Sequence, residues 1–202
     1  MFWEVLNHWD KIVTLAVNSL HTAVTDNLMM FLSKKELWFP MYAIMVFFVF
    51  HRLGFKKGLI VLVSVGLTIA ACDQTSNLIK YAVGRLRPCY NQDMLMGGLH
   101  VLEGRSSLFG FFSAHSANAF GLAAVTIWGF KNDRRFKYNK YTTFILIWAL
   151  LVAVSRMFVG KHYFGDILVG GIIGVAYGCL FGFLAKLVIQ KFFKEKAVLH
   201  AI

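Results

Sequence analysis

Charged residues are scarce in this chain of 202 residues, and acidic residues are the scarcest of them. The charged share is 15%, whereas an ordinary soluble domain has about 25%. Basic residues outnumber acidic ones by 21 to 10, which gives a formal net charge of +11. The chain has only 3 cysteines, too few for a disulfide framework. These shortages exclude an ordinary soluble domain and a disulfide-stabilised scaffold.

Apolar residues are abundant where charged residues are scarce. The sequence is 58% hydrophobic and 16% aromatic, with a mean hydropathy of +0.61. Long apolar runs and this aromatic content argue against disorder, and the length indicates one domain. A basic, charge-poor, apolar chain is most simply a membrane protein whose positive charges lie in loops. We therefore expect a single membrane-embedded domain over residues 1–202.

Five apolar runs predict membrane spans, since a spanning helix needs about 20 mostly apolar residues. Three of the runs are short unless they extend into polar stretches that hold Asp73, Lys80 and Arg156. Charged groups at such depth are costly and are usually functional or paired. The prediction is an all-α polytopic membrane helix bundle with five transmembrane helices within residues 37–190. The runs are 37–50, 58–72 with a continuation to residue 80, 106–130, 141–155 and 167–185.

Residues 1–35 have a different pattern, in which apolar side chains recur at helical spacing among polar neighbours. This pattern is typical of one or two amphipathic helices that lie in the membrane interface. The alternative is a sixth, weakly hydrophobic span over residues 12–32, which Asn18, His21 and Asp26 make less favourable. The recurring apolar residues are Phe2, Trp3, Leu6 and Trp9.

Basic residues cluster in three places: between the first two runs, between the third and fourth, and after the fifth. With five spans these places share one side, which the positive-inside rule makes cytoplasmic. The tail 191–202 is then cytoplasmic, and loops 81–105 and 156–166 face outward. The predicted location is a bacterial inner membrane, with the outward side in the periplasm. The residues are Arg52, Lys56, Lys57, Lys131, Arg134, Arg135, Lys137, Lys140, Lys186, Lys191, Lys194 and Lys196.

Glycines repeat every four residues along the last predicted span, at Gly170, Gly174, Gly178 and Gly182. They line one face of the helix, and small residues there let a neighbouring helix approach closely. We interpret this stripe as a packing surface without chemistry.

Cationic residues gather at the outward ends of the predicted spans. Lys80 and Arg87 are seven residues apart, so two helical turns bring them nearly onto one face, and Arg156 adds a third cation. Guanidinium forks and an ammonium group suit phosphate oxygens. Ser113, at the start of a predicted helix, adds a neutral donor and a positive dipole end. Together these residues predict a phosphate site.

Two histidines accompany the cations. His162 and Asp166 are neighbours on a helix face at i and i+4, and a carboxylate fixes the tautomer of an imidazole and favours its positive charge. A histidine oriented in this way can attack phosphorus, and His115 can then donate a proton. Each residue alone has a structural explanation, such as a helix cap for Asp166. The three clusters taken together favour a catalytic role over these structural ones.

The three clusters, in this order and spacing, resemble the signature of the type 2 phosphatidic acid phosphatase superfamily. That superfamily contains integral-membrane lipid phosphatases and, more distantly, soluble vanadium haloperoxidases. One element departs from the pattern, since Phe112 and Ala114 stand where the family usually has proline and glycine. The matching elements are K-x6-RP from Lys80 to Pro88, S-x-H from Ser113 to His115, and SR-x5-H-x3-D from Ser155 to Asp166.

The resemblance implies a role for each matching residue. His162 would attack phosphorus and form a phosphohistidine, and Asp166 would orient it. His115 would protonate the leaving group and then activate water. Members of the family are typically metal-independent, so we expect no metal and no other cofactor. The residues that would bind phosphate are Lys80, Arg87, Ser113, Ala114 through its backbone, and Arg156.

A site at the outer interface suits a phosphorylated lipid whose tail stays in the bilayer. The candidates are undecaprenyl pyrophosphate, lipid A phosphate, phosphatidylglycerophosphate and phosphatidic acid. The small size and the Ser-x-His-x-x-Asn pattern, which ends at Asn118, resemble bacterial envelope enzymes that act on the first two. A lipid phosphotransferase and a non-catalytic transporter or scaffold are the alternatives. Expected partners are the lipid substrate and membrane lipids, with no nucleic acid and no obligate protein partner.

Overall fold

The computed structural model describes residues 2–104 and 107–193, and within these ranges the chain is helical with no strand. An isolated β-bridge joins Leu86 and Phe109. The all-α prediction is confirmed, whereas the predicted tail lies outside the described residues from residue 194 onward. The helices are α1 (Phe2–Asn18), α2 (Ala23–Ser33), α3 (Phe39–Val83), α4 (Gln92–Met96), α5 (Ala114–Phe130), α6 (Asn139–Phe158) and α7 (Phe164–Phe192), with 3-10 turns at Lys35–Trp38 and Pro88–Tyr90.

Helix α3 reverses direction at Gly54, which has φ 74° and ψ 168°. A Cβ added at Gly58 would lie 3.5 Å from the Cα of Phe50, although eight residues of straight helix span about 12 Å. The helix is therefore a hairpin of two antiparallel arms, one for each of the first two apolar runs. A positive φ at this point favours glycine, since other residues clash there.

Three helical segments of the described chain are long and apolar enough to cross a membrane, by length and composition. They are Lys35–Val83, which contains the hairpin, together with α6 and α7. The last two match the fourth and fifth predicted runs. The total of five or six spans stays a prediction.

The third predicted run is helical only in part, because α5 begins at Ala114 and has 17 residues. Its earlier residues, from 107 to 113, run alongside the loop that follows α3. The N–H of Arg87 donates to the carbonyl of Leu108 at 3.1 Å, and the N–H of Gly110 donates to that of Arg85 at 2.9 Å. These backbone bonds replace helical ones, so the predicted start of this span is wrong.

The N-terminal segment forms two helices, as expected. Residues 12–32 do not form one helix, because α1 ends at Asn18 and Thr22 caps the start of α2. Residues 12–32 therefore belong to two helices joined by a turn, and the alternative of a sixth span over these residues stays a prediction. Trp3 and Trp9 are 79% and 59% exposed, which suits a surface in contact with lipid head groups. That α1 and α2 lie in the interface stays a prediction.

The glycine stripe of α7 is a packing surface, as predicted, and it contacts α5. Along the stripe, an added Cβ would come within 2.5 Å of the carbonyl oxygen of Ser113, 2.1 Å of that of Ala117 and 2.5 Å of that of Gly121. The fourth position would meet the side chain of Trp128 at 2.5 Å. Because no side chain separates the two backbones, α7 holds α5 at a fixed distance.

Gly174→Ala tests this packing. A methyl group 2.1 Å from the Ala117 carbonyl oxygen forces the helices apart, and we expect the free energy of unfolding to fall by about 1–3 kcal/mol. Thermal unfolding in detergent measures the change. The matched control is Gly66→Ala in α3, where no described atom lies within 4 Å of an added Cβ. An equal response of the two variants would contradict the packing role.

Candidate active site

The three clusters converge on one cavity of about 580 Å³. The last turn of α3, the loop after it, the first turn of α5, the last turn of α6 and the loop between α6 and α7 each contribute to its wall. Three cations and two histidines therefore meet, although they come from five separate places in the chain. The predicted site residues that line the cavity are Lys80, Arg87, Ala114, His115, Arg156 and His162.

His162 lies between a carboxylate and a guanidinium. Its Nδ1 is 3.3 Å from Asp166 Oδ2, and its Nε2 is 2.9 Å from Nη1 of Arg87. A guanidinium can only donate, so Nε2 is the acceptor and Nδ1 carries the proton. Burial, together with the charge of Arg87, holds the pKa of His162 well below its usual value. The imidazole is thus neutral, and the lone pair of Nε2 accepts from Arg87, which lines the same cavity as His162.

A tight turn places His162 beside Arg156. The backbone N–H groups of Lys161 and His162 both donate to the carbonyl of Arg156, at 3.0 and 3.1 Å. The turn passes through Gly160 with φ 75°, where an added Cβ would lie 3.1 Å from the carbonyl oxygen of His100. Glycine provides both the positive φ and the space. Arg156 and His162 therefore reach the same cavity from one short segment.

Arg156 is paired with a carboxylate that the motifs did not predict. Its Nη1 is 3.2 Å from Glu103 Oε1, its Nη2 is 3.4 Å from Oε2, and Nη1 also donates to Ser33 Oγ. Burial raises the pKa of Glu103, but the charge of Arg156 and the hydrogen bonds to it outweigh burial, so the net shift is downward. Nε of Arg156 is buried and has no hydrogen-bond partner among the described residues.

The remaining predicted residues differ in whether their side chains can contact a ligand in the cavity. The side chains of Lys80 and His115 make no hydrogen bond to the described part of the chain and line the cavity, so both can contact a ligand there. Ser113 is fully buried and caps α5, its Oγ accepting from the N–H of Ser116 at 3.4 Å. Its hydroxyl does not line the cavity, so its predicted contact with phosphate stays a prediction. Ala114 lines the cavity as the first residue of α5.

Arg85 is the main residue that motif reasoning missed. Its Nη1 donates to Asp166 Oδ1 at 2.8 Å, and its Nη2 donates to Asp10 Oδ2 at 2.6 Å and to Asn7 Oδ1 at 3.1 Å. Its guanidinium carbon lies 3.9 Å from the centroid of the Tyr163 ring. Arg85 therefore ties α1 to the carboxylate behind His162. Its position between Lys80 and Arg87 was the only signal in the sequence.

A model of the PAP2 superfamily matches residues 57–192. The chain belongs to the PAP2 superfamily. Two relatives are named lipid A 4′-phosphatase. The relative from Bacteroides thetaiotaomicron is 35% identical, over 90% of this chain and 79% of its own length. The relative from Porphyromonas gingivalis is 30% identical, over 87% of this chain and 72% of its own length. Among solved structures, a PAP2-type phosphatidylglycerolphosphate phosphatase from Bacillus subtilis superposes with a TM-score of 0.67 and 22% identity, covering 94% of this chain and 89% of that one.

These comparisons confirm the resemblance seen in the three clusters. PAP2 is the short name of the type 2 phosphatidic acid phosphatase superfamily. The matched range includes all of the motif residues from Lys80 to Asp166 and begins just after the reversal at Gly54. The structural similarity, at 22% identity, supports the fold alone.

Arg85→Gln tests the link between α1 and the site. The substitution leaves Asp166 buried without its guanidinium partner, and removing one member of a buried ion pair costs about 3–5 kcal/mol. We expect a lower unfolding midpoint in detergent and a lower turnover of a phosphorylated lipid. In Arg85→Lys, both quantities should return part of the way to the wild-type values. Arg134→Gln, at an exposed arginine far from this network, is the control. A wild-type midpoint for Arg85→Gln would show that Asp166 does not depend on Arg85.

Proposed function

We propose that this protein is a membrane lipid phosphatase that removes a phosphate from lipid A, most specifically the 4′-phosphate. The observation that carries the proposal is that His162, hydrogen-bonded through Nε2 to Arg87, lines one cavity with Lys80, Arg87 and Arg156. The names of the two relatives at 35% and 30% identity support the choice of substrate.

In the proposed first step, Nε2 of His162 attacks phosphorus as the bond to the leaving sugar oxygen breaks. His115, in its protonated form, gives that oxygen a proton, so a free hydroxyl leaves and a phosphohistidine remains. In the second step His115 takes a proton from water, the new oxygen bonds to phosphorus, and the phosphorus–nitrogen bond breaks. The electrons return to Nε2 and inorganic phosphate leaves.

Electrostatic stabilisation comes from the three cations, and such pre-positioned charge is often the largest catalytic contribution. Arg87 already contacts Nε2 of His162 at 2.9 Å. A phosphate that enters the cavity would take over this donor, which frees the lone pair at the moment when the guanidinium gains an anionic acceptor. Nε of Arg156, which has no hydrogen-bond partner among the described residues, would be a further donor for the bound phosphate.

An apolar groove of about 420 Å³ supports an amphiphilic substrate. It is bordered by both arms of α3 and by α5 and α6, and it shares Ala114 and His115 with the polar cavity. A lipid could thus place its phosphate at His115 and an acyl chain along Trp38, Tyr42 and Trp148. Part of the groove wall is polar, and there Asn118 Nδ2 donates to Asp73 Oδ1 at 2.9 Å. This bond also pairs the charge of Asp73 with a neighbouring helix.

We further propose an inner-membrane location with the active site in the periplasm. The support is the positive-inside pattern of the sequence, because the basic clusters lie away from the loops that carry Arg87 and His162. Phosphatidylglycerophosphate and phosphatidic acid phosphatase activities, undecaprenyl pyrophosphate hydrolysis, phosphotransfer, and a non-catalytic transporter or scaffold are the competing functions. The last is disfavoured by the pairing of His162 with both Asp166 and Arg87.

His162→Ala tests the chemistry. We expect phosphate release from lipid A in detergent to fall by about a thousandfold or more, because the attacking atom is gone. His51→Ala, which alters an exposed histidine far from the cavity, should keep wild-type activity. Circular dichroism shows whether the variant is folded. Full activity in a folded His162→Ala would refute the proposal.

A panel of lipids tests the substrate. The purified protein is incubated with lipid A that carries a phosphate at the 4′ or the 1 position, and with undecaprenyl pyrophosphate, phosphatidylglycerophosphate and phosphatidic acid. We expect the highest kcat/KM for the 4′-phosphate. We also expect phosphate release to continue when a metal chelator is present, because His162 supplies the nucleophile. Preference for another lipid would reassign the substrate, transfer to an added acceptor would indicate a phosphotransferase, and no turnover by the folded protein would favour the scaffold.

A further inference from the structure

A second group of ligand-type side chains lies outside the catalytic cavity. His21 is in the turn between α1 and α2, Asp26 is in the first turn of α2, and His100 is in the loop after α4. One nitrogen of each histidine and one carboxylate oxygen all lie within 4.8 Å of one another. None of these residues lines the cavity that holds His162.

The geometry of the group is close to that of a metal site. Nε2 of His100 is 3.0 Å from Asp26 Oδ2, and ligands at about 2.0–2.1 Å from a tetrahedral zinc ion are about 3.3 Å apart. The rings of His21 and His100 are stacked, with centroids 4.0 Å apart and an angle of 14° between planes. An ion must lie in the plane of each imidazole that binds it, so these nearly parallel rings would have to tilt apart, and with the ligand atoms already within 4.8 Å of one another such rotations would direct all three at one ion.

One oxygen of the group has no partner. Oδ1 of Asp26 is buried and makes no hydrogen bond within the described chain. A buried carboxylate oxygen without a partner is unfavourable. A cation held between the carboxylate and the two imidazoles would satisfy it.

The backbone around the group is fixed. The Asn18 amide donates to the carbonyls of His100 at 2.9 Å, Met157 at 3.1 Å and Phe158 at 2.9 Å, and its oxygen accepts from the N–H of His100 at 2.8 Å. The capping box of Thr22 fixes the start of α2, close to Asp26. A site with such a preset backbone needs little ordering when it binds an ion.

We propose that His21, Asp26 and His100 bind one divalent transition-metal ion, of which Zn²⁺ is the reference. Two imidazole nitrogens and a carboxylate suit Zn²⁺ and its neighbours in the first transition row, and water would complete the coordination. The site does not take part in the reaction at His162 and does not depend on the proposed substrate.

The ion would stabilise the rim of the catalytic cavity. It joins the α1–α2 turn to the loop that contains His100, and three residues further along that loop Glu103 pairs with Arg156. The next residue, Gly104, accepts a hydrogen bond from Lys161 through its carbonyl. Binding at the metal site would therefore hold in place the segment that positions two site cations.

The test is a calorimetric titration of the full-length protein, without a polyhistidine tag and after chelator treatment, with Zn²⁺. We expect one ion per chain with micromolar affinity, and visible absorption typical of tetrahedral coordination when Co²⁺ replaces Zn²⁺. His21→Gln should weaken binding at least about tenfold; because His21 is exposed, this variant should fold normally. Asp26→Asn and His100→Gln should also weaken Zn²⁺ binding.

Two controls separate this site from other histidines. His8→Gln alters an exposed histidine of α1, and this variant should bind Zn²⁺ as the wild type does, as should His162→Ala. Zn²⁺ should also raise the unfolding midpoint of the wild type, since it binds only the folded state, but not that of His21→Gln. Undiminished binding by His21→Gln, loss of binding in His162→Ala alone, or no binding by the wild type would each overturn the proposal.

Discussion

The buried carboxylate of Asp166 holds together several parts of this structure. It is fully buried, and a buried charge is tolerated only when its oxygens are satisfied. Oδ1 accepts from Arg85 at 2.8 Å, and Oδ2 accepts from the N–H of Tyr163 at 3.1 Å while facing Nδ1 of His162. The backbone carbonyl of Asp166 accepts from the N–H of Ser113 at 3.0 Å. Through these bonds Asp166 of α7 connects the loop after α3 with the start of α5, and Arg85 extends the connection to Asp10 of α1.

The close contact between α5 and α7 adds to the link that Asp166 makes between these two helices. The first glycine of the α7 stripe, Gly170, lies where a Cβ would be 2.5 Å from the carbonyl oxygen of Ser113. Two residues after Ser113 comes His115, and four residues before Gly170 comes Asp166. The glycine contact therefore sets the distance between the proposed proton donor and the proposed nucleophile, so packing inside the bundle determines the geometry of the site.

Much of this could be predicted from the sequence, because it depends on local spacing. The apolar runs predicted the helices, and the four-residue repeat predicted the glycine contact. The spacing of His162 and Asp166 predicted their pairing, but not on a helix face, because α7 begins at Phe164 and His162 lies in the loop before it. The contacts that spacing cannot show are long-range. Glu103 belongs to no motif, yet it pairs with Arg156. Arg85 lies between Lys80 and Arg87 without being part of their pattern, yet it pairs with Asp10. The start of α5 was also missed, because hydrogen bonds to the α3 loop replace a helix that hydropathy favours.

The central claim is that His162 carries the phosphoryl group, and rapid quenching tests it most directly. The purified enzyme is mixed with lipid A 4′-phosphate, denatured within one turnover and digested at alkaline pH, where phosphohistidine survives, and the peptides are analysed by mass spectrometry. The account predicts a phosphoryl group on the peptide that contains His162, located on that ring. Release of phosphate without any such adduct, or an adduct on another residue, would contradict it.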